Sequence, residues 1–133
     1  MKLIGGQKLK QLGNTRHTDD SDYLVFDTEK ELFSHGDNVD YINAAKHDFF
    51  KEIWNKEIDN SEISLNSLLE LKSFSFVQHC QNFNFTKADN DEFDIKFLVR
   101  RLGFDVKFNI VKKYVSEGEM SEIVKIINNM KRS

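Results

Sequence analysis

The spacing of the apolar residues changes once along this chain, between about residues 42 and 47, and that change limits it to a mixed fold. Before it, short apolar runs sit between glycines and polar turns. Lys2-Leu3-Ile4 predicts a short strand that stops at Gly5-Gly6. The run from Asp20 to Phe26 alternates carboxylates with other side chains and ends apolar and β-prone, which predicts a second strand. Val39 to Ile42, entered from a His35–Asn38 turn, predicts a third. Gln7 to Leu12 has room for about two helical turns ended by Gly13, followed by a polar loop over 14–19. After the change, apolar residues recur three and four apart, the repeat of a helix with one buried face. Phe49, Phe50, Ile53 and Trp54 mark a helix over 47–56, and Ser64 is an N-cap for one reaching about Cys80. Phe93, Phe97 and Leu98 share a predicted face over 91–101, and Met120, Ile123, Val124 and Ile127 mark the last helix. The expectation is an α+β (mixed α/β) fold. It is read as a single domain over 1–133, with the sheet in about 1–60 and helices in about 61–133.

At 133 residues the chain can bury a core without disulfides or metal staples. Twelve phenylalanines supply core volume, and the absence of proline fits an AT-rich genome such as that of a phage or a low-GC bacterium. Cys80 is the one cysteine, so no disulfide forms within the chain and a reducing compartment is expected. The first residues turn polar at Gln7-Lys8, too soon for the apolar stretch of a signal peptide. No apolar run nears the ~20 residues a membrane helix needs. These features predict a cytoplasmic protein with no membrane partner.

Net charge is −3, which excludes a chain that binds nucleic acid by bulk charge alone, but the charges are unevenly placed. Between Gly13 and Ala45 stand eight acidic residues, Asp19, Asp20, Asp22, Asp27, Glu29, Glu31, Asp37 and Asp40, against Arg16 and Lys30. From Asp94 onward nine basic residues stand against five acidic ones. That division suits metal ions on one wall of a cleft and phosphates on the other, or two separately solvated faces.

Asp20 and Asp22 lie two apart on a predicted strand, so their side chains leave the same face. Carboxylates held that close repel, and divalent cations relieve the repulsion. Hard oxygen ligands suit Mg²⁺, and two such ions can stabilise the attacking and leaving oxygens of a phosphoryl displacement. Alone, Asp-x-Asp is most often a solvated turn or strand edge. Here it follows Gly5-Gly6, where glycine lets backbone N–H groups approach phosphate oxygens.

Taken together, Gly5-Gly6, Gly13 and Arg16-x-Thr18-x-Asp20-x-Asp22 before Leu24 and Val25 resemble the signature of the polymerase-β-like nucleotidyltransferase superfamily. The likeness is greatest to minimal nucleotidyltransferases of the abortive-infection toxin type. It continues through Leu68-Leu69-Glu70-Leu71-Lys72, similar to the family's lysine helix, and through Lys87 with Asp91-x-x-Asp94-Ile95, similar to its closing element. Lys87 stands four residues ahead of Asp91, whereas the family's lysine adjoins the aspartate, and His79 stands where an arginine is expected.

The resemblance implies two Mg²⁺ ions held by Asp20, Asp22 and a third carboxylate. Asp40 is the candidate for that third position and for the general base, with Asp37 as the alternative. It places Gly5, Gly6, Arg16, Thr18, Lys72, Lys87, Asp91 and Asp94 around a nucleoside triphosphate. The implied reaction moves a nucleoside monophosphate to a hydroxyl on RNA (including tRNA), a protein or a small molecule. The alternative is an inactive nucleotidyltransferase-fold binding module, a phage or toxin–antitoxin factor that acts on a host protein or a nucleotide. His35, His47, His79 and Cys80 lack zinc-ligand spacing. Trp54, Lys112-Lys113 and Lys131-Arg132 read as packing or solvated faces.

Overall fold

Gly5 has a φ of +76°, a conformation that glycine adopts without strain, and there the chain passes from strand directly into helix. In the computed structural model, which describes residues 1–132, β1 (Lys2–Ile4) runs without a linker into α1 (Gly5–Gln11). The helix therefore starts at the glycine pair itself, two residues earlier than its polar pattern predicts. It ends at Leu12, with Gly13 at φ +105° beyond it, as the helix-stop reading of that glycine requires. Then follow β2 (Ser21–Val25), β3 (Phe33–Gly36), β4 (Val39–Asn43) and α2 (Asp48–Lys56). The helices α3 (Leu65–Gln81), α4 (Phe85–Arg101) and α5 (Glu117–Lys131) complete the chain. The protein is α+β, with a four-stranded mixed sheet followed by a helical part. It divides into two compact units, Met1–Ser67 and Leu68–Ser133. No helix among the described residues is long and apolar enough to cross a membrane.

The sheet order is β1-β2-β4-β3. β2 and β4 are parallel, and the outer pairs β1–β2 and β3–β4 are antiparallel. β3 is absent from the pattern-based expectation, which treats His35–Asn38 as a turn. The turn is shorter: Gly36 pairs with Val39, and Asp37-Asn38 alone form the loop. Asn38 is at φ 57°, a backbone conformation asparagine tolerates better than most residues. All four β3 residues are exposed, so the strand carries no buried face to reveal it in the sequence. On the sheet and the helices of this unit, Ile4, Leu9, Leu24, Phe49, Phe50 and Ile53 are buried.

Two buried polar side chains organise the loops of this unit. Asn43 Oδ1 accepts from the N–H groups of Asp27 (3.0 Å) and Ala45 (3.1 Å). Its Nδ2 donates to the carbonyls of Asp27 (2.5 Å) and Lys30 (3.0 Å), so the amide is fully paired. Glu57, at the end of α2, accepts from Ser64 N–H and from Asn60 Nδ2, which ties the 57–64 loop together. His47 caps α2, its Nδ1 accepting from Phe49 N–H at 3.1 Å.

In the second unit, α3 buries Leu68, Leu69, Leu71, Phe74 and Val77. Ser64 caps α3 as its sequence position implies, with Oγ accepting from Ser67 N–H at 3.3 Å. Glu70 is also buried, and its Oε1 accepts from the N–H groups of Ile110 (2.8 Å) and Val111 (3.0 Å) at the start of a short 3-10 turn. The face of α4 differs from the predicted one. Phe93 is 48% exposed, while Ala88, Asp91, Asp94, Ile95, Leu98 and Val99 are buried, so two carboxylates lie on the inner stripe. On α5, Ile123, Ile126 and Ile127 are buried and Val124 is turned toward solvent. Ser116 and Glu119 form a capping box at its start.

Candidate functional site

Register across the sheet places Ile4, Asp22, Asp40 and His35 in one row, on β1, β2, β4 and β3 respectively. Neighbouring strands lie about 4.8 Å apart, and side chains in one row leave the same face. Asp22 and Asp40 are thus adjacent carboxylates, although eighteen positions separate them in the chain. The parallel pairing of β2 with β4 creates this adjacency.

The carboxylate of Asp22 lies directly against Gly5. A Cβ on Gly5 would overlap Asp22 Oδ2 and stand 3.0 Å from Asp22 Cβ and Cγ. Gly6 is also confined: its Cβ would stand 2.7 Å from Thr18 Cγ2 and 2.9 Å from Arg16 Nη2. Gln7 Nε2 donates to the Thr18 carbonyl at 2.6 Å, holding the 14–20 loop over the first turn of α1. Gly5, Gly6, Arg16, Thr18 and Asp22 therefore come together in space. The sequence motif had grouped these five, and Gln7 is an addition that no feature of the sequence marked.

Asp40 Oδ1 is 2.6 Å from His35 Nδ1, in a pair whose members are 40% and 75% exposed. Sequence reading assigned His35 to a turn and gave it no role. Asp20 is exposed and stands one residue ahead of β2, and Asp37 is exposed in the β3–β4 loop. Two neighbouring strand carboxylates are the donor chemistry a hard divalent cation takes, and such a cation would relieve their repulsion. Among the described residues no three His, Cys, Asp or Glu side chains are gathered as a metal-binding group, so Asp20 does not join Asp22 and Asp40 in one.

The motif residues of the helical part form a separate group. Lys72 Nζ on α3 lies 2.9 Å from Asp94 Oδ2 and 3.7 Å from Asp91 Oδ1 on α4. Asp91 Oδ2 also accepts from Ser75 Oγ at 3.0 Å and lies 2.6 Å from His79 Nδ1. Lys72, Asp91 and Asp94 are buried or nearly so, which rules out a lysine extended over the surface into water. Lys87 is exposed in the first turn of α4 and takes no part in these pairs. The thiol of Cys80, next to His79, is pushed up from its ordinary range, chiefly by burial and then by the charges of Asp91, Glu122, Asp89 and Glu92. That makes it a poor nucleophile at neutral pH. Trp54 packs at 6.0 Å from the Phe26 ring, with Lys2 Nζ 5.8 Å from its centroid.

No protein-family model, curated protein or solved structure matches this chain.

Proposed function

We propose that this protein is a magnesium-dependent nucleotidyltransferase that moves a nucleoside monophosphate from a nucleoside triphosphate to a hydroxyl group. The observation that carries this reading is the convergence of Gly5, Gly6, Arg16 and Thr18 with Asp22, and the placement of Asp40 opposite Asp22. At the glycines, only residues without a Cβ leave room for the Asp22 carboxylate and the 16–18 loop. Their backbone can also approach phosphate oxygens closely. Arg16 supplies a planar donor suited to phosphate.

In the proposed reaction the acceptor oxygen attacks the α-phosphorus, the bond from that phosphorus to the bridging oxygen breaks, and pyrophosphate leaves. Asp22 and Asp40, neighbours across β2 and β4, would hold the divalent ions. Bound divalent ions supply charge neutralisation at the transferring phosphoryl group. Asp40 takes the acceptor's proton as general base. Positioning and electrostatics then account for the rate, without a covalent enzyme intermediate. RNA, including tRNA, and proteins are the favoured acceptors, in a cytoplasmic setting.

The test is transfer from α-³²P-labelled ATP, GTP, CTP and UTP to bulk tRNA and to cell extract, with Mg²⁺ and with EDTA. Metal-dependent labelling that Asp22→Asn abolishes supports the reading. Absence of labelling with all four triphosphates, together with triphosphate binding that Asp22→Asn leaves unchanged, overturns it.

A second reading, a nucleotidyltransferase-like binding module without transfer chemistry, draws on the exposed position of Asp20 outside the strand and on the pairing of Lys72 with two aspartates. A protein that binds triphosphate but transfers nothing in the same assay would favour it.

A further inference from the structure

We propose that the solvent face of α4 is a self-association surface, on which a second copy of this chain docks antiparallel to form a weak two-fold dimer. The inference is independent of the transferase reading and concerns the helical unit alone.

The face is defined by what α4 does not bury. Its inner stripe carries Ala88, Asp91, Asp94, Ile95, Leu98 and Val99. At about 100° per residue, Phe85, Asp89, Phe93, Lys96 and Arg100 fall on the opposite side, within a stripe about 80° wide. Phe85 and Phe93 are 59% and 48% exposed, and Asp89 and Arg100 are exposed as well. Lys96 is half-buried, with its Nζ 3.3 Å from Glu92 Oε2. Large apolar side chains gathered on one exposed face mark an interaction surface.

The turn that leads into the helix adds a second observation. Phe83 has a φ of 56° and is 79% exposed, with its ring edge-on to Phe85 at 6.2 Å. Its N–H donates to the Cys80 carbonyl and that of Asn84 to the His79 carbonyl, the pairing that closes a helix through a left-handed residue. α1 and α4 end in the same way, with Gly13 and Gly103 at that place. At the end of α3 a phenylalanine stands there instead, although Asn82 and Asn84 beside it are of a type that accepts this conformation better. Burial of the ring within the chain does not offset the strain, whereas a second copy would bury it.

The charges select the partner. Asp89 stands toward the start of the face, and Lys96 and Arg100 stand toward its end. A copy laid antiparallel, turned about a two-fold axis near Phe93, sets Asp89 of each chain against Lys96 of the other. The same register brings the two Phe93 rings together and sets Phe85 against Arg100, a pairing of ring and guanidinium. Phe83 then meets the turn after α4, where Phe104 is also exposed. A parallel copy would set Asp89 beside Asp89 and Lys96 beside Lys96. The face is about 24 Å long and one helix wide, at the low end of specific interfaces, so the dimer is concentration-dependent.

The experiment is sedimentation velocity of the full chain from about 1 µM to about 500 µM, for wild type, Phe93→Glu, Asp89→Lys and Lys96→Glu. Wild type is expected to pass from monomer to dimer across this range. Phe93→Glu sets two like charges at the axis and should stay monomeric throughout. Each single charge reversal opposes like charges and should weaken dimerisation about tenfold or more. Mixing Asp89→Lys with Lys96→Glu restores both opposite-charge pairs, so the mixture should dimerise where neither variant does alone. All three positions are accessible to solvent, so thermal midpoints should stay close to wild type. A wild type that is monomeric at every concentration overturns the inference and leaves the face to a different protein. A dimer that survives Phe93→Glu overturns it, and so does a mixture no more associated than its two components.

Discussion

The carboxylate of Asp22 occupies the space that a side chain on Gly5 would need. One glycine thereby sets both the strand-to-helix turn and the position of the carboxylate that the proposed chemistry uses. A comparison of two glycines tests this. Gly13 also has positive φ, but nothing lies within 4 Å of a Cβ built there. Gly13→Ala should cost only backbone strain, about 1–3 kcal/mol. Gly5→Ala carries similar strain plus the overlap with Asp22, and should lose more stability by urea denaturation. Equal losses would mean that the Asp22 contact relaxes freely.

Asn43 makes four hydrogen bonds from a buried position and joins the 27–30 turn to the end of β4. Asn43→Ala leaves two backbone N–H groups and two carbonyls without those partners. The expected loss is about 3 kcal/mol, since an unpaired buried polar group costs about 1–3 kcal/mol and water reaches some of the turn. Chemical denaturation should show an unchanged slope with a lowered midpoint. A loss below about 1 kcal/mol would mean that water replaces the amide fully.

Lys72 balances charge that α4 buries. Lys72→Met leaves Asp94 and Asp91 without that ammonium and should destabilise by about 3–5 kcal/mol, the usual cost of breaking one side of a buried pair. Lys72→Met combined with Asp94→Leu should be less destabilised than the sum of the single variants, because the stranded charge is gone. A double-mutant cycle with no coupling would remove the structural role assigned to this pair.

Glu119 is held below the ordinary glutamate value of 4.5, first by the backbone N–H of Ser116 and then by Gln81. Its folded value is lower than its unfolded one, so its contribution is present above the unfolded value and is lost as pH falls through the folded value. The stability gap between wild type and Glu119→Gln should therefore be largest near neutral pH and shrink on acidification below about 4.5. Removing the other half of the box by Ser116→Ala should cost about 1 kcal/mol at pH 7. A gap that stays constant down to pH 3 would contradict the assignment.

Strand and helix positions were largely legible because the apolar period reports them directly: β1, β2, β4, α1, α2, α3 and α5 coincide with or lie within a few residues of the expected segments, while α4 begins at Phe85, ahead of the expected 91–101. The glycine–aspartate motif was also legible, since its spacing is local. β3 was not, because a strand with all four residues exposed has no buried face and hence no period-2 apolar signal. The buried stripe of α4 was misread for a related reason. Hydrophobicity assigns phenylalanine to the interior and aspartate to water, and the ammonium that reverses this for Asp94 comes from a different helix.

By itself, the sequence determined where β1, β2, β4 and the helices lie, and which residues stand within one turn or loop of each other. Tertiary structure alone decided that Asp40 lies opposite Asp22, that His35 reaches Asp40, and that Lys72 pairs with Asp91 and Asp94. Those relationships depend on strand order, register and helix packing. They join residues distant in the chain through backbone hydrogen bonds and charge pairing, which leave no mark in local composition.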